Sequence, residues 1–423
     1  IPVTTSKISS HLPLLDLLPE SDALSWVRGG QGVVGWGQYA KTTVSGPNRF
    51  RDAREWWQAQ LATFNVVNTL NVSGTGPILF TSFSFDENEE SVLVIPQVVV
   101  GTRSGVSWMT WIGDKAQPYL PKKAPELSHA EFAWADGSLT PNEWMSRVAT
   151  AKGEIEIGEL EKVVLARDLV AVADRTIDIR PILNHLSEQY PSTWVFAVDN
   201  LVGATPELLL RLSRGMVTSR VLAGTISKTG DDEKDLALAA SLARSSKDLE
   251  EHEYAVRSVA DALEPFCTST NVPESPFVLH LANVMHLATD VTGALIESKI
   301  DVDAFSLLSR LHPSAAVCGT PTDAASAVIN ELEETIEKGD DIVEYEDIYK
   351  EKYSYIIKTS ENLYKMIYDQ YKMSFFDKKF FLKNIETMLQ AIEKIQQAKV
   401  TQYDASKQIG EMLANHYIPQ LKK

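Results

Sequence analysis

Three short segments of this chain place groups that could move protons or hold a cation. In Glu161-Lys162-Val163-Val164-Leu165-Ala166-Arg167, a strand would set Lys162, Val164 and Ala166 on one face, because side chains alternate. A lysine offered beside small apolar neighbours is desolvated, its pKa falls, and it can serve as a general base. In Gly203-Ala204-Thr205-Pro206-Glu207, followed by Leu208-Leu209-Leu210, glycine and proline tighten a turn that sets Glu207 at the mouth of a strand. A carboxyl held there against apolar residues becomes a proton donor with a raised pKa. Ser245-Ser246-Lys247-Asp248-Leu249-Glu250-Glu251-His252-Glu253 reads as a capped helix start whose glutamates fan around the first turns. Hard oxygen ligands in that small number suit Mg²⁺, which keeps waters and completes its shell with a substrate carboxylate. Taken singly, the same residues also fit plainer roles: a solvated edge lysine, a turn carboxylate, a charged helix face.

Two smaller pieces join them. In Val221-Leu222-Ala223-Gly224-Thr225, Gly224 would let backbone N–H groups approach a bound carboxylate. His286 in Met285-His286-Leu287-Ala288-Thr289, and the stretch Leu311-His312-Pro313-Ser314-Ala315-Ala316-Val317-Cys318-Gly319-Thr320-Pro321, would otherwise pass as loop or core.

The elements that must position these groups are mixed. Short β-rich runs at 91–101, 162–172 and 193–200 alternate with helical stretches at 231–264 and 301–311, separated by Gly, Pro and Asn/Asp punctuation. An α+β domain with an extended antiparallel sheet follows. A chain of 423 residues, 44% hydrophobic, can bury a large core. Its formal charge of −17 argues against nucleic acid and anionic membrane as partners. Without a bilayer-spanning run or a leader, and with Cys267 and Cys318 far apart and best read as buried thiols, the expected location is cytoplasmic. Numbering from Ile1 rather than Met points to a trimmed chain.

Composition breaks after Glu333. All nine Trp and all fifteen Arg precede residue 334, whereas 334–423 holds fourteen Lys, nine of the thirteen Tyr, and only Gly339, Gly410 and Pro419 of their kinds. Apolar and aromatic residues recur there at helical spacing, which predicts a Lys/Tyr-rich helical hairpin or small bundle of different origin.

Read together and in order, KVVLAR, GATPELLLR, LAGT, SSKDLEEHE, HLAT and LHPSAAVCGTPTDAA resemble the isochorismate synthases among the chorismate-binding enzymes, over residues 1–333. The resemblance implies a large antiparallel sheet sandwich with its site in a cleft, followed here by an all-α tail. It implies that Lys162 activates a water, that Glu207 protonates a departing hydroxyl, and that Glu251 helps hold Mg²⁺ on the substrate carboxylate. Gly224, Thr225, His286 and Ala316 would line the substrate site. By the same resemblance, lysine at 162 and alanine at 223 separate the chain from the aminating members and point to a water-adding enzyme, an isochorismate or a salicylate synthase; the residues leave that choice open, and isochorismate synthase is the preferred reading, in a menaquinone or a siderophore pathway.

Members of that family continue past the position of Glu333 into a strand hairpin, a Gly-Ala-Gly loop and a final helix. These carry a substrate-binding arginine and a second Mg²⁺ glutamate, so the resemblance implies a domain incomplete at its C-terminal end. On that expectation the isolated chain turns over only if a partner or second copy supplies those groups. The competing reading is an inactive synthase-like scaffold whose 334–423 segment serves a protein partner or self-association.

Overall fold

The computed structural model describes residues 1–338 apart from 10–11, 71, 115–117, 119, 122–129 and 298–301. The expected helical tail therefore lies, from residue 339 onward, outside the described residues. Residues Ile1–Ile336 form one compact unit.

The first sheet is built largely before residue 113. Its strands are β1 (Pro2–Ile8), β2 (Leu24–Arg28), β3 (Gln31–Val44), β4 (Asn65–Asn68), β5 (Phe80–Ser82), β6 (Ser91–Arg103) and β7 (Val106–Ile112), with helix α1 (Arg49–Thr63) between β3 and β4. Gly29 and Gly30, at φ 54° and 72°, make the two-residue turn that joins β2 to β3, a conformation that matches the twist of the strands. The apolar run predicted at 91–101 is β6. Leu93, Val94, Ile95, Val98, Val99 and Val100 are all buried, the pattern of a strand covered on both faces.

The middle of the chain supplies β8 (Phe132–Asp136), α2 (Pro141–Ile157), β9 (Lys162–Val163), β10 (Leu169–Ala173), α3 (Ile179–Gln189), β11 (Trp194–Val198) and β12 (Leu201–Thr205). β11 and β12 complete the first sheet, whose order is β12-β11-β2-β3-β6-β7-β1-β4 with β5 on β6. Pairing is antiparallel except between β1 and β4, which run parallel, a departure from the all-antiparallel expectation. Leu183 and Leu186 of α3 pack with Val27, Val34, Val98, Val100 and Val195, while Trp56 and Trp57 of α1 pack on Val3, Ile95 and Ile112.

The continuous strand expected over 162–172 is broken in two. β9 pairs with a segment near residue 319, and β10 with β8. Between them, Arg167 is drawn to the carbonyl of Leu139 and the carboxylate of Asp136, and Asp168 accepts from the N–H and hydroxyl of Ser138. These bonds turn the chain from one pairing to the other.

The second sheet comprises β13 (Leu208–Ser213), β14 (Met216–Ser227), β15 (Cys267–Asn271), β16 (Phe277–His280) and β17 (Val284–Leu295) in the order β13-β14-β17-β15, with β16 also on β17. The helix expected over 231–264 is two: α4 (Asp232–Leu242) and α5 (Ser246–Leu263). Ser245 leaves the helical conformation at ψ 112° so that its side chain can accept from the Asp248 N–H, an N-cap that starts the second helix afresh. The chain ends its described part with α6 (Ala304–Leu311), β18 (Gly319–Thr320) and α7 (Thr322–Lys338). α7 crosses the composition break at 333/334 without interruption. Among the described residues no helix is long and apolar enough to cross a membrane.

His252, Ala255, Val259 and Leu263 form the buried face of α5, which rests on Val217, Val221, Ala223 and Val291 of the second sheet. His252 spans the join: Nδ1 lies 3.2 Å from the Ala223 carbonyl and Nε2 lies 2.8 Å from the Thr289 hydroxyl. A carbonyl only accepts, so Nδ1 donates and Nε2 accepts, which is the neutral tautomer. Burial pushes the His252 pKa below its ordinary 6.5, so its stabilisation is complete above pH 6.5 and is lost as pH falls below that value. His252→Ala, which orphans two buried polar atoms and opens a cavity, is expected to cost about 2–4 kcal/mol in urea unfolding at pH 7.5. The variant should also lose part of the native chain's destabilisation between pH 6.5 and 5; an unchanged midpoint would refute this role.

Candidate active site

Four consecutive residues of β14 set the positions of most of the groups singled out by the sequence. The Leu222 N–H donates to the Glu207 carboxylate. The Ala223 carbonyl receives His252. Gly224 sits in the left-handed region at φ 77°, where the β14–β17 register shifts by a bulge. The Thr225 hydroxyl lies 2.9 Å from Nδ1 of its cross-strand neighbour His286. Burial lowers the His286 pKa, against an opposing hydrogen bond to the Gly224 backbone.

Gly224 is required twice over. Its positive φ disfavours any side chain, and a Cβ there would lie 3.1 Å from Cβ of Asp248 and 3.3 Å from Cδ1 of Leu287. The first turn of α5 is thereby seated against the bulge, and Glu251, one turn further, is carried toward Lys162.

Lys162 arrives from a different part of the chain. β9 and β18 pair over only two residues, Lys162 with Thr320 and Val163 with Gly319. The pairing is extended by Glu161 N–H to the Thr320 carbonyl at 2.9 Å and Val164 N–H to the Cys318 carbonyl at 2.7 Å. The side chain is 9% exposed. Its Nζ donates to the Ala315 carbonyl at 2.7 Å and stands 3.9 Å from Oε1 of Glu251. Burial pulls the Lys162 pKa below its ordinary 10.5, opposed by the charges of Glu251, Cys318 and Glu207. Ala316 adjoins the acceptor carbonyl and packs at the margin of the core under α5.

Glu207 occupies the turn between β12 and β13, its N–H bonded to the Thr205 hydroxyl at 3.1 Å. Burial pushes its pKa up to about 7, against the pull of Lys162 and the Leu222 N–H. A carboxyl that holds its proton near neutrality and an amine that sheds its own early thus stand within electrostatic reach of each other. Such a pair can donate and accept a proton in one event.

The donor set for a cation is small. Glu251 is 38% exposed at its side chain, and no group of three His, Cys, Asp or Glu that could hold a metal gathers among the described residues. One accessible carboxylate does not make a cage, but it fits a hydrated Mg²⁺ completed by a ligand's own oxygens.

The structure thus brings Lys162, Glu207 and Glu251 together, with Gly224, Thr225 and His286 on the adjoining ladder and Ala316 beside the lysine's acceptor. Sequence reasoning missed His252, the carbonyl of Ala315 and the N–H of Leu222. His252 had a signal, since it begins the buried series 252, 255, 259, 263 at helical spacing. The two backbone groups had none.

A family model for chorismate binding enzymes matches residues 24–112 and 114–339. The chain belongs to the chorismate-binding enzyme family. It is 30% identical over 335 residues to the isochorismate synthase MenF of Bacillus subtilis, an alignment covering 71% of this chain and 70% of that one. With the isochorismate synthase DhbC of the same organism it shares 36% over 268 residues, 61% of this chain and 64% of the relative. The solved structure of the menaquinone-specific isochorismate synthase MenF from Escherichia coli superposes with a TM-score of 0.60 at 19% identity, covering 78% of each chain, a likeness of fold. The chain is accordingly an enzyme, with isochorismate synthases among its relatives.

For this family member the raised Glu207 pKa has a stability consequence. The folded state holds the proton up to about pH 7, whereas the unfolded chain releases it near 4.5. The folded state therefore binds more protons in that window, and stability falls as pH rises through it, by roughly 3 kcal/mol at most. Glu207→Gln is expected to flatten this decline and to be more stable than the native chain at pH 8, measured by urea unfolding at pH 4.5 and 8. Equal slopes for the two proteins would show that Glu207 ionises normally.

Proposed function

We propose that this enzyme converts chorismate to isochorismate, with Lys162 as general base and Glu207 as general acid. The observation that carries the reading is the burial that favours the neutral forms of both groups while keeping them neighbours. Neutral Lys162 takes a proton from a water as its oxygen bonds to the ring. The ring double bond shifts, and the C–O bond of the departing hydroxyl breaks as Glu207 delivers its proton to that oxygen. One water enters and one leaves, so substrate and product are isomers. The lysine ends as ammonium and the glutamate as carboxylate. A single proton transfer from one to the other restores the starting state without exchange with bulk solvent.

Glu251, with waters and the substrate's own carboxylate, would hold Mg²⁺, which when bound neutralises charge on that carboxylate. Thr225 and His286, tied to each other across the ladder, would face the substrate beside the bulge at Gly224, and Ala316 would close the lysine's side. The proposed setting is cytoplasmic. Desolvating a lysine and a glutamate is unfavourable, and a scaffold gains nothing from it, which favours the catalytic reading over the inactive one.

The competent pair, neutral Lys162 with protonated Glu207, carries one proton, as does the ion pair. Turnover should therefore be bell-shaped in pH. The acid limb is expected near 7, where the second proton is lost, and the alkaline limb below the ordinary lysine value of 10.5. The test is incubation with chorismate and Mg²⁺, with products resolved chromatographically. Against the expectation that a partner must supply the family's C-terminal arginine and glutamate, isochorismate is expected from the native chain alone, with a fall of about 10²–10⁴-fold in kcat for Lys162→Ala and for Glu207→Gln. No isochorismate from folded protein, or undiminished turnover by Lys162→Ala, would refute the assignment.

A further inference from the structure

Three arginines line a concavity of about 510 Å³ where the ends of first-sheet strands meet β13 of the second sheet. Arg28 closes β2, Arg103 closes β6, and Arg211 lies on β13; Gln31, Ser192 and Trp194 complete the polar lining. None of the groups assigned to the reaction is part of it.

Charge makes this grouping unusual. The chain carries a formal −17, yet no carboxylate lines the concavity. Several arginines elsewhere are matched, as in Arg180–Asp178 and Arg220–Asp290 at 2.7 Å and Arg167–Asp136 at 2.6 Å. Arg28, Arg103 and Arg211 make no ion pair with any described residue; Arg28 instead caps the ring of Trp194 at 5.7 Å. Burial, then the charges of Arg220 and Arg211, lower the Arg28 pKa. Like charges held together in a partly desolvated place are unfavourable until an anion joins them.

The remaining groups are donors as well. Gln31 Oε1 is occupied by the Ser104 N–H at 2.9 Å, which leaves the amide N–H groups of Gln31 to offer. Ser192 adds a hydroxyl. A lining rich in forked N–H donors and poor in free acceptors matches phosphate or carboxylate oxygens, which guanidinium binds bidentately. The volume falls in the range of small-molecule sites, and the acidic chain as a whole repels nucleic acid.

We propose that this concavity is a second ligand site, for a small polyanion that bears a phosphate group or paired carboxylates, held by Arg28, Arg103 and Arg211 over Trp194. Arg211 on β13 follows Glu207 by four residues, so the occupied site lies along the strand that leaves the turn holding the proposed acid.

Calorimetric titration of the full chain tests this without reference to turnover. Inorganic phosphate, pyrophosphate and citrate are the probes, in a low-salt buffer free of other polyvalent anions. Saturable binding of one probe per chain is expected. It should weaken about tenfold or more in Arg103→Gln, whose exposed side chain is dispensable for folding, and further in Arg28→Gln/Arg211→Gln. Preference for the phosphates identifies a phosphorylated ligand, and preference for citrate a polycarboxylate. Quenching on binding that disappears in Trp194→Phe would place the probe over that ring. No saturable binding up to roughly 10 mM, or affinity unchanged in both variants with native circular dichroism, would overturn the proposal.

Discussion

The site depends on one backbone constraint, the left-handed bulge at Gly224 in the β14–β17 ladder. Because position 224 has no side chain, the backbone can take its positive φ and the first turn of α5 can sit against the sheet at a distance that a Cβ would crowd. That seating lets His252 bond both strands, and it fixes the roll of α5 so that Glu251 faces Lys162. The flanking residues of the same strand hold Glu207 through an N–H and His286 through a hydroxyl. A helix, two strands and a turn are thereby registered to one short stretch of backbone, which the ladder with β17 holds in place.

Against this frame, the chemistry comes from desolvation more than from strong pairing. Lys162 and Glu207 attract each other, and the attraction alone would leave an ordinary ion pair. Burial opposes it on both sides, lowering one pKa and raising the other, so that the doubly neutral arrangement becomes accessible. The fold invests in this arrangement through very little regular structure: β9 and β18 are two residues each, stabilised by flanking backbone bonds and by a lysine that donates to the chain it pairs with. Such a clip places Lys162 accurately because both of its strands enter the buried corner formed by Leu160, Cys318 and Ala325.

Much of this was legible in the sequence because it is local. The turn before Glu207, the Ser245 cap, the glycine at 224 and the apolar run of β6 each follow from neighbouring residues, and each is where the pattern puts it. What escaped was non-local. The run at 162–172 has strand composition throughout, yet its first residues pair with Gly319–Thr320 and its last with β8, a choice made by partners far along the chain. Lys162 finds its acceptor at Ala315, and a main-chain carbonyl leaves no mark in a sequence. The parallel pairing of β1 with β4 likewise depends on α1 carrying the chain back across the sheet. The split between α4 and α5 falls at that same cap, since Ser245 starts a helix afresh. The change in composition after Glu333 is plain in the sequence, while α7 runs through it to Lys338 and the compact unit ends at Ile336.

The account rests on Glu207 holding its proton near neutrality, and that can be observed at the carboxyl itself. With ¹³C-labelled glutamate and Glu207→Gln to assign the resonance, the side-chain carboxyl shift of Glu207 is followed from pH 3 to 9 in the folded, ligand-free enzyme. A midpoint near 7 is expected in the native enzyme, and a higher one in Lys162→Met, since the lysine's charge pulls the value down. A midpoint near 4.5 in the native enzyme would mean an ordinary carboxylate, and the proton-transfer pair described here would not exist.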